Sequence, residues 1–284
     1  MFANPSLVSL ATTVLFVLLW SSGAIFSKWG LAHASPFALL ICRSLLALPV
    51  MTLLVALLGY RLPRGRRAIV QAVLIGAILL GAYQICYLLA LQFKLAPGVL
   101  ATIMGVQPIL TAVLTDRRAN RSRLFGLALG LGGLVLVVFE GLGLGGASLA
   151  GMLCGLAALG SMTFGSMMQK RITVNPLGTL PVQYLAGTLV CAAFVPFQPL
   201  HADYSLGFYA PVLWLGLVVS VLATFLLYRL IAQGNLVNVT SLFYLVPAVT
   251  ALLDWLIYGN RLPLLALVGM GLIVVGLVFV FRKR

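Results

Sequence analysis

Residues Gly98–Thr115 read GVLATIMGVQPILTAVLT, and Val237–Asp254 read VNVTSLFYLVPAVTALLD. The two stretches align without a gap at an offset of 139 residues. Pro108 falls on Pro247, Thr111 on Thr250, Ala112 on Ala251, Leu114 on Leu253 and Thr102 on Ser241. Further along, Gly130 and Gly132 fall on Gly269 and Gly271. Upstream, SSGAIFSK (Ser21–Lys28) lies over TFGSMMQK (Thr163–Lys170) at an offset of 142, with Gly23 on Gly165 and Lys28 on Lys170. A constant offset near half of a 284-residue chain marks a duplicated unit whose loops have changed length slightly.

Composition decides what the duplicated unit is. The chain is 62% hydrophobic and 8% charged, with a mean hydropathy of +1.16. That balance excludes a soluble globular domain. Apolar runs long enough to cross lipid follow one another with short gaps. Ten spans are expected, at about 7–28, 36–58, 68–92, 97–115, 122–139, 148–169, 178–197, 209–232, 237–257 and 263–281. All are expected to be helical, because hydrocarbon tolerates only backbone that bonds within its own segment. The first run has no basic leader and no cleavage signal, so it is read as a retained span. The fold class is therefore all-α membrane protein, with five spans in residues 1–140 and five in 146–284.

Five is an odd number, so the second half must enter the membrane from the opposite side to the first. Loop charge tests this independently. Arg61, Arg64, Arg66, Arg67, Arg117, Arg118, Arg121, Arg123, Lys170, Arg171, Arg282, Lys283 and Arg284 all fall on one face of the ten-span arrangement. The other face has only Lys28, Lys94 and Arg261. The positive-inside rule then places both termini in the cytoplasm. In the second half, the loops equivalent to the two Arg-rich ones hold no Lys or Arg (198–208) and one Arg (258–262). Inverted repeats of this kind are a transporter architecture with a site near the midplane.

The net charge of +14 is carried by short loops beside apolar spans, which points to anionic lipid headgroups and topology and away from nucleic acid. Cys42, Cys86, Cys154 and Cys191 lie inside apolar runs without CxxC spacing and read as small core residues. Several apparent motifs fail on context. GLGLGG at Gly141–Gly146 matches GxGxxG but has no strand before it. The sequons at Asn120 and Asn238 face the cytoplasm in this topology. GxxxG pairs at Gly126–Gly130 and Gly151–Gly155 read as helix packing. No Walker A motif, catalytic constellation, metal cluster or cofactor motif is visible, so neither an enzyme nor a cofactor is expected.

The chain resembles the drug/metabolite transporter superfamily, specifically its ten-helix EamA-type exporters. The resemblance covers the whole chain. It is carried by LLWSSGAIFSKWGL in the first span, ICRSLLALP with Arg43 in the second, ALQFKLAPGVLATIMGVQPILTAVL in the third and fourth, and LYRLIAQGNLVNVTSLFYLVPAVTALLDWLIYGNRL in the eighth to tenth. It implies secondary transport of small organic metabolites, often amino acids or amphipathic compounds and usually outward, in a bacterial inner membrane. One departure stands out. Family members often close spans four and nine with Gly-Glu, where this chain has Thr115-Asp116-Arg117 and Gly259-Asn260.

The ninth span, at 100° per residue, gathers Thr240, Tyr244, Pro247, Ala251, Asp254 and Tyr258 on one stripe. Ala101, Gly105, Pro108, Ala112 and Thr115 make the matching stripe on the fourth. Such a stripe faces protein or a cavity. The prolines Pro108 and Pro247 remove a backbone bond mid-span and are candidate hinges. Polar and aromatic groups in other spans complete a candidate substrate site: Trp20, Ser21, Tyr83, Gln84, Tyr87, Gln107, Thr163, Thr240 and Tyr244. Met104, Met162 and Met167 read either as an adaptable wall or as core filler. This set suits an amphipathic organic solute. Arg43 has two readings, a structural intramembrane charge or a ligand for a substrate carboxylate. Asp254 also has two: a carboxyl that takes up a proton during the cycle, or an ionised group that reaches outer water beside Arg261. A secondary exporter leads, with a passive facilitator, channel or lipid scramblase as the alternative. The expected partners are a small-molecule substrate and membrane lipids, in a monomer or homodimer.

Overall fold

The computed structural model describes residues 5–95, 97–115, 121–139, 148–258 and 263–281. Over these the chain is helical, with a single isolated antiparallel bridge between Ala34 and Ala202. The helices are α1 (Pro5–Leu31), α2 (Pro36–Leu57), α3 (Arg66–Gly76), α4 (Tyr83–Gln92), α5 (Pro97–Gly105), α6 (Gln107–Thr115) and α7 (Arg121–Val137). They continue with α8 (Leu149–Lys170), α9 (Leu180–Phe194), α10 (Leu206–Leu213), α11 (Thr224–Gln233), α12 (Leu236–Ser241), α13 (Leu245–Tyr258) and α14 (Leu264–Phe281). A π-helical segment, Ala77–Ala82, joins α3 to α4, and another, Trp214–Ala223, joins α10 to α11. A 3₁₀ turn, Leu242–Tyr244, joins α12 to α13.

Eight of the resulting rods are long and apolar enough to cross a membrane, among the described residues. The expected spans at 97–115 and 122–139 are shorter: Val99–Thr115 is a shorter apolar helix, and α7 has 17 residues. Large apolar side chains such as Leu53, Val113, Leu189 and Val278 stand more than half exposed. In water such faces would drive aggregation, whereas lipid tails solvate them.

Local chemistry explains where the rods begin and end. Pro36 and Pro181 sit in the first turns of α2 and α9, where a missing N–H costs nothing. Asn235 caps α12 by accepting from the N–H groups of Val237 and Asn238. After α2, Gly59 turns left-handed (φ 71°) and bonds back to Ala56, while Tyr60 bonds back to Val55. This is a Schellman close, which favours glycine. After α4 the same close is built on Lys94 (φ 62°), with Lys94 N–H bonding to Leu91 and Leu95 N–H to Ala90. Pro211 stands three residues before the second π-helical segment and withholds the N–H that α10 would use there.

The helices form two compact units, Met1–Ala82 with Met168–Gln233 and Tyr83–Met167 with Gly234–Arg284. Each draws on both halves of the sequence. In the first, α9 packs against α2, α3 and the Ala77–Ala82 segment. The helix pair is close enough that a Cβ on Gly76 would collide with the Gln183 carbonyl oxygen, and one on Gly187 would lie 2.6 Å from Leu80 Cβ. At one end of this unit, His33–Ser35 and His201–Ser205 are laced by the Ala34–Ala202 bridge and by Ser35 N–H to the His201 carbonyl, 2.8 Å. At the other end of α9, Gly178 packs directly on the Arg61 carbonyl.

The second unit is built on α7 and α14. A Cβ on Gly126 would meet the Gly276 carbonyl at 2.6 Å, and one on Gly133 the Gly269 carbonyl at 2.5 Å. The reverse substitutions meet the reverse carbonyls at the same distances. The start of α7 therefore faces the end of α14, so the two run antiparallel with their backbones in direct contact. Ala112, Leu127, Leu134, Val237, Tyr244, Ala248, Ile273, Leu277 and Val280 make the apolar core around this seam.

Candidate functional site

The fourth and ninth expected spans are the irregular ones. The fourth breaks at Val106, between α5 and α6, two residues before Pro108. Pro108 has no N–H to give the Met104 carbonyl, so the helical ladder cannot run through. The ninth is interrupted by the Leu242–Tyr244 turn, just before Pro247. Both candidate hinges thus lie beside real interruptions.

Of the candidate substrate residues, Trp20 and Ser21 lie in the first unit and the other seven in the second. Trp20 is half-buried with its ring 5.5 Å from Phe16, and Ser21 is fully buried. Tyr83 and Tyr87 pair at 6.0 Å, and Gln84 between them is half-buried. Tyr87 and Met104 also pack on the cluster of Ala90, Leu95 and Leu100. Thr163 and Thr240 are buried and give their hydroxyls to their own helices, at Leu159 and Val237. Tyr244 is a core residue here: its ring covers Gly130, its hydroxyl donates to the Leu127 carbonyl at 3.2 Å, and it is 1% exposed.

Gln107 and Thr111 are different. They lie one turn apart on α6 and are 2% and 0% exposed. Gln107 Nε2 and Thr111 Oγ1 have no hydrogen-bond partner among the described residues. Arg43 is half-buried in α2, with its own backbone carbonyl close to Gly216 in the π-helical segment. Asp254 falls on α13, but its side chain lies outside the described residues.

The sequence reading missed a polar cluster in the first unit. Gln183 Nε2 donates to Gln169 Oε1 and Thr179 Oγ1, both at 2.8 Å, and Gln183 Oε1 accepts from the Tyr228 hydroxyl at 2.8 Å. One residue along, the Tyr184 hydroxyl donates to the Ser220 carbonyl and lies 3.2 Å from Thr224 Oγ1. Beside Gln169, Lys170 Nζ donates to the Ile231 and Ala232 carbonyls at the end of α11, at 2.8 and 3.0 Å, where a cation meets the negative end of a helix. The available signal was the same one that marked Gln84: an amide inside an apolar run cannot face lipid cheaply. Gln169 and Gln183 carry it too.

Outside the spans, His33 Nδ1 lies 2.6 Å from Asp203 Oδ2, and Ser205 donates to Asp203 Oδ1 from its hydroxyl and its N–H. These bonds, that of His33 first, hold the Asp203 carboxyl at about 2, below its usual value of 3.8.

The model of the EamA-like transporter family matches this chain twice, over residues 7–139 and 149–282. The chain belongs to the EamA-like transporter family. It is therefore a multi-pass membrane transporter. The uncharacterized inner membrane transporter YedA of Escherichia coli K12 is 27% identical over 274 residues, which cover 93% of this chain and 87% of YedA. The YedA proteins of E. coli O6:H1 and O157:H7 match to the same extent. A chain of known crystal structure superposes with a TM-score of 0.82 at 21% identity, covering 96% of each chain, which shows that the two share a fold. Among the described residues of this EamA-like transporter, no group of three or more His, Cys, Asp or Glu could hold a metal ion.

Proposed function

We propose that this transporter moves small organic metabolites, amino acids or amphipathic compounds, outward across the inner membrane by alternating access. On this reading it has ten spans in two inverted repeats, residues 1–140 and 146–284, with both termini in the cytoplasm. The carrying observation is that irregular backbone recurs at equivalent places in the two halves. Ala77–Ala82 and Trp214–Ala223 are both π-helical and are centred at the same 139-residue offset that aligns the sequences. The interruptions beside Pro108 and Pro247 obey that offset to within a few residues. π-Helical turns and broken spans leave backbone groups outside the regular ladder, which membrane proteins tolerate where a substrate or a moving part needs them.

The antiparallel course of α7 and α14, the fifth spans of their halves, supports inversion. The loop contacts support the sidedness. His33–Ser35 with His201–Ser205, and Phe93–Leu95 with Ser148–Gly151, each join loops or span ends assigned to the outer face. Arg61 with Gly178, and Arg123 with Asn235 and Asn238, each join loops or span ends assigned to the cytoplasm.

Counterflow in proteoliposomes tests the transport mode. Preloaded unlabelled solute should accelerate entry of labelled solute, whereas a channel or scramblase shows no such trans-stimulation. Cysteines in place of Gly65 and Ser205 should label from opposite sides of sealed vesicles; labelling from one side would remove the inverted topology. Asp254 is the candidate proton-coupling residue. An imposed pH gradient should then drive flux in the wild type and not in Asp254→Asn, and wild-type flux that ignores the gradient would end that assignment.

A further inference from the structure

Hydroxyls inside this chain's helices mostly bond back to their own backbone. Ser44, Thr52, Thr115, Thr163, Thr240 and Ser241 all do so, at 2.7–3.1 Å. Thr111 does not, although it is fully buried and the Gln107 carbonyl stands four residues before it. The Gln107 amide nitrogen, on the same face of α6 one turn earlier, is also without a partner among the described residues. Other buried side-chain atoms without a bond of their own occur singly, at Gln71 Oε1 on α3, Arg123 Nε on α7, Gln169 Nε2 on α8, Thr188 Oγ1 on α9 and Gln198 Oε1 after it. Only on α6, among the described residues, do two such atoms share one helix.

A buried donor left unmade costs free energy, so a pair of them on adjacent turns needs a reason. Their position supplies one. Gln107 is the first residue of α6, just past the break at Val106, at the helix end whose dipole favours negative charge, although Pro108 has no N–H there and the Leu110 N–H is bonded to the Val106 carbonyl. The helix has nine residues, enough for two turns to contribute. The repeat supplies a second reason. The position equivalent to Gln107 is Val246, and Thr250, equivalent to Thr111, is partnered. The amide–hydroxyl pair therefore belongs to one half only, as recognition of an asymmetric solute requires.

Resting on the transport reading above, we propose that Gln107 Nε2 and Thr111 Oγ1 are paired donors that take the carboxylate of the transported solute, at the start of α6. Both groups offer hydrogen to an acceptor, and a carboxylate presents two acceptor oxygens. The solute class is thus a small carboxylate such as a neutral α-amino acid, and an amine without a carboxylate is not recognised.

The test uses the full chain in proteoliposomes preloaded with unlabelled L-leucine or L-phenylalanine. Entry of each labelled amino acid is compared with entry of its decarboxylated counterpart, isopentylamine or phenethylamine, after preloading with that same amine. The thermal midpoint of each solute-free variant is measured in detergent. The wild type should exchange the acids and not the amines. Gln107→Leu and Thr111→Val should each reduce exchange roughly tenfold or more, as loss of a charge-assisted hydrogen bond does. Their midpoints should stay level or rise, because each change removes an unmade bond. Thr111→Ser, which keeps the hydroxyl, should keep the exchange. Exchange of the amines as fast as the acids, or unchanged exchange in both variants, would overturn the carboxylate assignment and leave transport standing. A fall in midpoint in both variants would overturn it too, by revealing a structural role for the pair. Absence of exchange for every compound in the wild type would overturn both readings.

Discussion

Two sets of buried amides sit in this molecule under opposite terms. In the first unit, Gln183 uses both amide hydrogens and its oxygen, on Gln169, Thr179 and Tyr228. In the second, the Gln107 amide nitrogen and the Thr111 hydroxyl find nothing among the described residues. Gln183 itself has no bond left for a solute, so its role is to tie Gln169, Thr179 and Tyr228 together, although the Gln169 amide nitrogen beside it has no partner among the described residues. The unsaturated pair holds two buried donors that no described group uses. Burial alone does not separate the two cases; the count of bonds does.

The largest test of this contrast is Gln183→Leu. It strands the Tyr228 hydroxyl and the Gln169 amide oxygen, at roughly 1–3 kcal/mol for each group left unpaired. The thermal midpoint in detergent should fall by many degrees, opposite in sign to the level or raised midpoint of Gln107→Leu. Equal behaviour of the two variants would erase the distinction between the sites.

A smaller effect is expected where side-chain bonding is untouched but the backbone beneath it is pushed. Gly76→Val forces side-chain carbons into the Gln183 backbone and should cost about 1–3 kcal/mol, as overpacking does. Gly132→Val, with nothing within 4 Å, is the control and should leave the unfolding curve nearly in place.

Smaller again is the exposed clasp of His33, Asp203 and Ser205. A carboxyl held at about 2, below 3.8, stabilises the fold at pH values above the unfolded value. That contribution is lost as pH falls through the folded value. The midpoint should therefore fall between about pH 4 and about pH 2, and Asp203→Asn should flatten that part of the profile. The smallest change is a gain. Lys94 adopts a left-handed conformation that costs a non-glycine residue about 1 kcal/mol, so Lys94→Gly should raise the midpoint slightly.

Most of the helical rods were legible in the sequence, because an apolar run the thickness of a bilayer has few other uses. The interruptions beside Pro108 and Pro247 were legible for an equally simple reason, since proline cannot donate to the ladder. The π-helical segments were not: Ala77–Ala82 and Trp214–Ala223 hold no residue pattern that distinguishes them from α-helix. Side-chain assignment was harder. Periodicity put Tyr244 on the face turned away from lipid, but that face meets Gly130 of α7 as readily as a cavity, and both environments favour the same residue types. Gln169, Gln183 and Tyr228 each look ordinary alone, and only packing brings residues 45 and 14 positions apart into one cluster.

The seam between α7 and α14 also has a consequence for biosynthesis. Gly126 and Gly133 have their partners in Gly276 and Gly269, on a helix that begins long after α7 ends. At roughly 5–20 residues per second, a ribosome takes on the order of ten seconds to cover that distance. For that interval α7 presents a bare glycine face to lipid, and the second unit cannot close. Inserted early helices must wait in the bilayer for a late one, so a nascent chain stalled before α14 is an unfinished protein that membrane quality control can recognise.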